Sequence, residues 1–147
     1  MPVQPRISSL IARAMLDAIS AALDTGTGGI VVIWSGSKPS TCEAASGGTE
    51  LGTILLDTTS FAPAQDIVGT ARIAVNTSTP EATATAGTGT YFRAYPTSSS
   101  QTFANRGACI IQGTVGLADS DLILDAVTYA GGEQISISSW IIELDEN

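Results

Sequence analysis

The sequence predicts a mainly β fold, namely an antiparallel β-sandwich or jelly-roll-like domain preceded by one N-terminal amphipathic helix. Three observations support this prediction. Apolar residues recur at helical spacing only near the N-terminus, alternation of apolar and polar residues predominates after residue 29, and Gly, Ser, Thr and Asn punctuate the later segments. Because no helical pattern alternates with the strands, a parallel α/β sheet is not expected.

The helix is predicted over residues 6–24. Its apolar stripe consists of Ile7, Leu10, Ile11, Ala14, Met15, Ala18, Ile19 and Ala22. Pro5 suits a helix start, because the first N–H groups of a helix have no partner within the helix and the N–H that Pro lacks is not needed there. The glycines within 25–29 suit the helix end. We expect the stripe to pack on the chain's own sheet or on a neighbouring subunit. Residues 1–28 would then form an N-terminal arm and helix, and 29–147 the β-sandwich of a single domain.

Strands are predicted at 29–35, 51–57, 68–76, 89–96, 107–115, 121–129 and 133–144. The first strand is apolar on both faces, which predicts burial on both sides. Ile135, Ile137 and Ile141 share one face of the last strand, with Trp140 on the other. Gly131-Gly132 predicts a tight hairpin between the last two strands. The loops at 36–49, 77–88 and 97–106 are long for hairpins and are candidate contact surfaces.

Composition and charge exclude several function classes. The chain has 147 residues, is 44% hydrophobic and carries a formal net charge of −8. Its six Lys and Arg residues are scattered, whereas nucleic-acid binding needs clustered cations, and an acidic chain is repelled by an anionic membrane surface. Neither a signal peptide nor an apolar run long enough to cross a membrane is evident, so synthesis in the cytoplasm is expected.

Catalytic chemistry is not expected either. The chain has no His, which excludes Ser-His-Asp and Cys-His arrangements, and a Ser-Lys pair would depend on Lys38 in a loop. Asp119, Asp121 and Asp125 lack the glycine turn and terminal Glu of a calcium loop. The sequence therefore predicts no enzyme and no catalytic, cofactor or metal site.

The two cysteines leave alternatives open. Cys42 is predicted in a loop and Cys109 in a strand, 67 positions apart, a spacing that fits no zinc or redox motif. They are either two free thiols or a disulfide formed in an oxidising environment, within one subunit or between two. Sequence alone does not choose among these, since the bond depends on geometry.

A group of aromatic and basic residues is the candidate interface. Tyr91, Arg93 and Tyr95 share one parity of a predicted strand, and Trp34 ends the first strand. Tyr, Trp and Arg are enriched at interface hot spots, so these four residues are predicted to contact a partner. The alternative is an exposed strand face on which Arg93 makes a local ion pair.

The order of motifs along the chain resembles that of small virion structural proteins of tailed bacteriophages. The apolar first strand ends in Trp34-Ser35-Gly36-Ser37-Lys38-Pro39, and a small-residue loop leads to Gly48–Leu56. The later motifs are Gly89–Arg93, Gln112-Gly113-Thr114-Val115-Gly116, Asp121–Leu124 and Gly131–Leu144. The resemblance spans nearly the whole chain, and the cysteine pair lies outside its pattern.

This resemblance implies a non-enzymatic structural role in the virion. The leading expectation is a capsid decoration or cement protein that stabilises the head through subunit contacts. Alternatives are a neck, collar or tail component and, from another class, a surface carbohydrate-binding module. The implied partners are further copies of the chain, as a trimer or ring, and other virion proteins such as the major capsid protein.

Overall fold

In the computed structural model, the described residues are 6–26, 28–76, 81–97 and 106–145. They form one N-terminal helix and a predominantly β structure, which confirms the predicted fold class. Within these ranges no helix has the length and apolar character needed to cross a membrane. The predicted N-terminal arm lies mostly outside the described residues.

Helix α1 spans Ser9–Leu23. It begins three residues later than predicted, because Ser8 is the N-cap and its hydroxyl accepts a hydrogen bond from the Ile11 N–H at 3.4 Å. Asp24 is the C-cap, and its backbone N–H donates to the Ser20 carbonyl. The Asp24 carboxylate also accepts hydrogen bonds from Ser60, which ties the helix end to the loop after β2.

The face by which α1 packs is not the predicted one. Ala12, Leu16 and Leu23 are fully buried, whereas most of the predicted stripe faces outward. Leu10 is 67% exposed, and Ile11 and Met15 are each 49% exposed. Side chains at 12, 16 and 23 follow the helical repeat as well, so two apolar faces compete and the one with Leu16 and Leu23 packs against the sheet.

The strands are β1 (Gly29–Trp34), β2 (Glu50–Leu55), β3 (Gln65–Asp66), β4 (Thr70–Ala74), β5 (Glu81–Thr83), β6 (Gly87–Thr88), β7 (Tyr91–Pro96), β8 (Ile111–Gly116), β9 (Leu122–Leu124), β10 (Thr128–Tyr129) and β11 (Gln134–Asp145). Within the described residues the main sheet has the order β2-β1-β7-β8-β9-β11-β4-β3, with β5 also paired to β11. Its pairs are antiparallel except β8 with β9, which are parallel, so the sheet is mixed.

Each of the seven predicted strands has a counterpart, and the last two predicted strands pair with each other, although the pairing does not continue to the tight turn. Gly132 has a φ of 90° and does lie in a tight turn. The predicted strand at 121–129 is divided into β9 and β10. β9 pairs antiparallel with β11, whereas β10, next to the turn, pairs with β6. The Asp125 carboxylate accepts a hydrogen bond from the Ser136 N–H, a bond that a strand partner would otherwise make.

The sheet buries side chains on both faces of β1, as its sequence predicts. Val31 and Ile33 belong to the inner cluster, which also holds α1 and the β4 and β11 side chains. Ile30, Val32 and Trp34 belong to a smaller outer cluster. Because both faces of β1 are apolar and buried, something other than α1 must cover the outer face.

Candidate functional site

The outer cluster is covered by the chain's own loop. We define the covering loop as residues 36–49, between β1 and β2. The outer cluster consists of Ile30, Val32, Trp34, Tyr91 and Tyr95, with Cys109 packed against it. Trp34 and Tyr91 stack with ring centroids 6.2 Å apart and planes 10° from parallel. The position of the loop follows from side chains on β7 and β8 that bind its backbone.

The two ends of the covering loop are joined. The Ser35 N–H donates to the Thr49 carbonyl at 2.9 Å, and the Thr49 N–H donates to the Ser35 hydroxyl at 3.1 Å. Gly48 has a φ of +85°, and a Cβ there would lie 1.8 Å from the Ser35 carbonyl oxygen. A glycine is therefore required at position 48, because any side chain would push the two ends apart.

Tyr91 holds the end of the covering loop that leads to β2. Its hydroxyl accepts a hydrogen bond from the Gly47 N–H at 3.1 Å and donates to the Gly47 carbonyl at 2.5 Å. The ring itself is fully buried. A buried Tyr whose hydroxyl is bonded in this way combines apolar burial with a fixed hydrogen-bond geometry.

Arg93 holds the middle of the covering loop. Its Nη2 donates to the Thr41 carbonyl at 3.0 Å, and its Nε donates to Gln112 Oε1 at 3.1 Å. Gln112 in turn donates from Nε2 to the Pro39 carbonyl at 2.8 Å. Only 3% of Arg93 is exposed. A buried guanidinium needs such partners, because leaving its donors unsatisfied costs free energy.

The predicted interface residues are buried within the chain. The prediction that Tyr91, Arg93 and Tyr95 share a strand face is correct, but the alternative of an exposed face with a local ion pair is wrong, since all three are buried. Burial raises the pKa of Tyr95, an effect that its hydrogen bond with Arg93 opposes. The Arg106 guanidinium lies 5.1 Å from the centre of the Tyr95 ring. A role in contacts with a partner stays a prediction.

The cysteines meet where the covering loop lies against the segment that precedes β8. Cys42 lies in the loop as predicted, whereas Cys109 precedes β8 and is not in a strand. Their sulfur atoms are 2.9 Å apart, and both residues are partly exposed free thiols. Nothing in the spacing of 67 residues could have shown this, because the contact depends on how the loop folds over β7 and β8.

Two of the three acidic residues that were considered as calcium ligands have structural hydrogen bonds. Asp121 accepts from the N–H and hydroxyl of Thr114, and Asp125 accepts from the Tyr129 hydroxyl. Burial raises the pKa of Tyr129, and the Asp125 carboxylate adds to the effect. Across the described part of the chain, no group of three or more His, Cys, Asp or Glu residues is arranged to hold a metal ion.

Among the residues that the structure describes, two surface clefts lie away from the covering loop. One, of about 180 Å³, lies between β8 and β11 over Phe92 and Trp140; the other, of about 260 Å³, lies beside the β3–β4 hairpin. Both are smaller than the roughly 300–1,000 Å³ of typical small-molecule sites. Comparison with known protein families, with curated proteins and with solved structures finds no match for this chain.

Proposed function

We propose that this protein is a non-enzymatic structural component of a tailed-bacteriophage virion, where it decorates the capsid and stabilises the head through subunit contacts. The proposal draws on the order of motifs that resembles this group and on one structural observation. That observation is the exposed apolar face of α1. In contrast, Tyr91, Arg93 and Gln112 on the sheet already make hydrogen bonds to the chain's own covering loop.

We define the free face of α1 as Leu10, Ile11, Ala14, Met15 and Ala18. All five residues are exposed, and none carries a charge. Their spacing of one, three and four residues places them side by side on the helix, opposite Leu16 and Leu23. Contiguous exposed apolar surface of this kind marks a site of interaction with another protein.

The partner we assign to the free face is a second copy of the chain. Each chain carries a net charge of −8, so copies repel each other wherever acidic surfaces meet. The free face has no charge, and pairing it with itself brings no like charges together. Its small Ala14 and Ala18 side chains allow two helices to approach closely.

The size of the free face favours repeated contacts over an isolated dimer. A standard interface buries about 800 Å² on each partner, more than three large side chains and two alanines supply. A contact of this size is weak alone, but a closed ring or a capsid lattice repeats it many times and raises the overall affinity. Decoration of a capsid needs this kind of additive binding and requires no chemistry.

Sedimentation of the purified chain tests the self-association. We expect wild type to form oligomers as its concentration rises, and the double variant L10Q/M15Q to stay monomeric. L117Q is the matched control, because Leu117 is 60% exposed but lies away from the helix. A wild-type chain that is monomeric at all concentrations, or a double variant that associates normally, would contradict the assignment of a second copy as partner.

Partial dissociation of virions that carry this chain tests the proposed location of the protein on the capsid. Co-release with capsomers is expected for a capsid decoration protein. Co-purification with tails or necks would contradict the capsid position and support the tail or neck alternative. Absence of the chain from purified virions would overturn the structural role itself.

A further inference from the structure

The two thiols of the chain are placed to react with each other. Cys42 Sγ and Cys109 Sγ are 2.9 Å apart, and a disulfide requires about 2.05 Å, so less than 1 Å of approach is needed. We propose that Cys42 and Cys109 form a disulfide within one chain, which locks the covering loop onto the sheet when the protein meets an oxidising environment. The bond needs no partner chain, so it is independent of the proposed function.

The surrounding hydrogen bonds hold both cysteines in position. The carbonyl of Thr41, next to Cys42, accepts from Arg93. On the other side, the N–H of Ile110, next to Cys109, donates to the Ala94 carbonyl at 2.9 Å. Each cysteine is thus one residue from a bond to β7. Since both are attached to the same strand, the thiols stay close without the disulfide, and the oxidised and reduced chains share one fold.

The geometry also favours a bond within one chain over a bond between subunits. Each sulfur already has the other as its neighbour, and Cys109 is packed against the outer cluster. An intersubunit bond would require the two sulfur atoms to separate, and a bond through Cys109 would also require this residue to leave the cluster. Partial exposure of both thiols is enough for a small oxidant to reach them.

The reaction proceeds by exchange with a low-molecular-weight disulfide such as oxidised glutathione. The Cys42 thiolate attacks one glutathione sulfur, which forms a mixed disulfide and releases one glutathione thiolate. Cys109 then loses its proton to solvent and attacks Cys42 Sγ, which forms the protein disulfide and releases the second glutathione. Two protein thiols are oxidised and one glutathione disulfide is reduced to two thiols.

The order of these steps follows from the packing of Cys109, which contacts the outer cluster and whose sulfur lies 3.4 Å from the Ile111 carbonyl oxygen, whereas Cys42 lies in the covering loop. Burial, the hydrogen bond with Cys42 and the charge of that neighbour raise the pKa of Cys109 to about 12. Because the thiolate is the nucleophile, Cys109 reacts second, once Cys42 carries the mixed disulfide close beside it.

The test uses the full chain, reduced and then incubated with oxidised glutathione. We expect the intact mass to fall by two hydrogen atoms, a cross-linked Cys42–Cys109 peptide after digestion, and a monomer on non-reducing electrophoresis. A disulfide-linked dimer, a persistent glutathione adduct, or two thiols that remain open to alkylation would each overturn the proposal.

Proteolysis tests the locking of the loop. A glutamyl endopeptidase is expected to cut after Glu43 several-fold more slowly in the oxidised chain than in the reduced chain. Cutting after Glu133, which is exposed in a turn remote from the cysteines, serves as the control and should not change. In C42S the oxidant should give no protection at Glu43; equal cutting there in oxidised and reduced wild type would show that the bond does not hold the loop.

Discussion

Val68 is the residue whose conformation is hardest to explain within one chain. It has a φ of 44° and is 99% exposed, at the tip of the β3–β4 hairpin. Gly69 follows with a φ of 82°, and the Ile67 N–H donates to the Thr70 carbonyl at 2.9 Å. Two central residues with positive φ define a turn that favours Asn-Gly, and a β-branched residue is disfavoured there. The chain gains no internal contact from Val68 in return.

The substitution V68N should therefore stabilise the protein. Asn tolerates the left-handed conformation that costs Val about 1 kcal/mol or more, so we expect the free energy of unfolding to rise by about 1 kcal/mol. Urea denaturation of the reduced chain measures the change. V68A is the matched control, because Ala keeps most of the backbone cost; an Asn variant no more stable than V68A would argue against strain at this turn.

Substitution of Arg93, which lies beneath the covering loop, is expected to lower the free energy of unfolding strongly. R93A removes the buried Arg93 side chain and its charged hydrogen bonds to Thr41 and Gln112, so we expect a loss of about 2–4 kcal/mol in the free energy of unfolding. K38A provides the control within the same loop, because Lys38 is exposed and its loss should change stability by less than about 0.5 kcal/mol. Similar effects of the two variants in chemical denaturation would contradict the structural role of Arg93.

The pH dependence of Cys109 follows from its surroundings. Burial and Cys42 raise the pKa of Cys109 to about 12; Glu43 adds to the rise, and Arg93 opposes it. Since only the thiolate is alkylated, the rate for Cys109 should increase about tenfold per pH unit from pH 7 to 10. Iodoacetamide labelling followed by peptide mass spectrometry measures it. An ordinary thiol levels off above pH 8.5, so a plateau there would contradict the raised pKa.

At the scale of elements, α1 has two apolar faces with different roles. The face with Leu16 and Leu23 packs on the sheet, and the free face does not contribute to that packing. L10Q/M15Q should therefore change the free energy of unfolding of the monomer by less than about 0.5 kcal/mol. L16A should lower it by about 2–5 kcal/mol, because it leaves a cavity in the core. Thermal unfolding at low concentration measures both, and a large loss in the double variant would mean that the free face supports the fold itself.

The last strand shows how a local irregularity redirects a side chain. The pairing of β11 with β9 shifts register between Ile137 and Ser139. Such a bulge adds one residue on one strand, so that residues after it point to the opposite face from the one that simple alternation predicts. Trp140 is buried for this reason together with Ile135, and it packs edge-on against Phe61 and Phe92 with centroids 4.8 Å and 5.1 Å away.

At the scale of the whole molecule, the proposed disulfide would join two distant parts of the chain. The cysteines are 67 positions apart, and closing a loop of this length in the unfolded chain is worth about 4 kcal/mol in the chain-entropy model. We therefore expect the oxidised chain to be more stable than the reduced chain by up to about 4 kcal/mol. Denaturation with and without a reductant measures the difference, with C42S/C109S as the control whose stability should not respond to the reductant.

Sequence patterns accounted for much of the secondary structure. The β1 run of apolar residues predicted burial on both faces, and all six residues of β1 are buried. The short strands β3, β5 and β6 were not predicted, since two or three residues are too few for a period to appear. The predicted strand at 121–129 is divided into β9 and β10. The parallel pairing of β8 and β9 was also missed, because the hydrophobic pattern specifies faces and not the direction of a neighbouring strand.

By itself, the sequence determined the fold class, the presence of the helix and the burial of both faces of β1, because these depend on local spacing and on composition. Only the tertiary structure decided which apolar face of α1 is buried, that the covering loop lies over Tyr91 and Arg93, and that Cys42 and Cys109 meet. These outcomes depend on contacts between residues that are tens of positions apart. Several apolar or polar partners compete for each such contact, and only packing of the whole chain selects one.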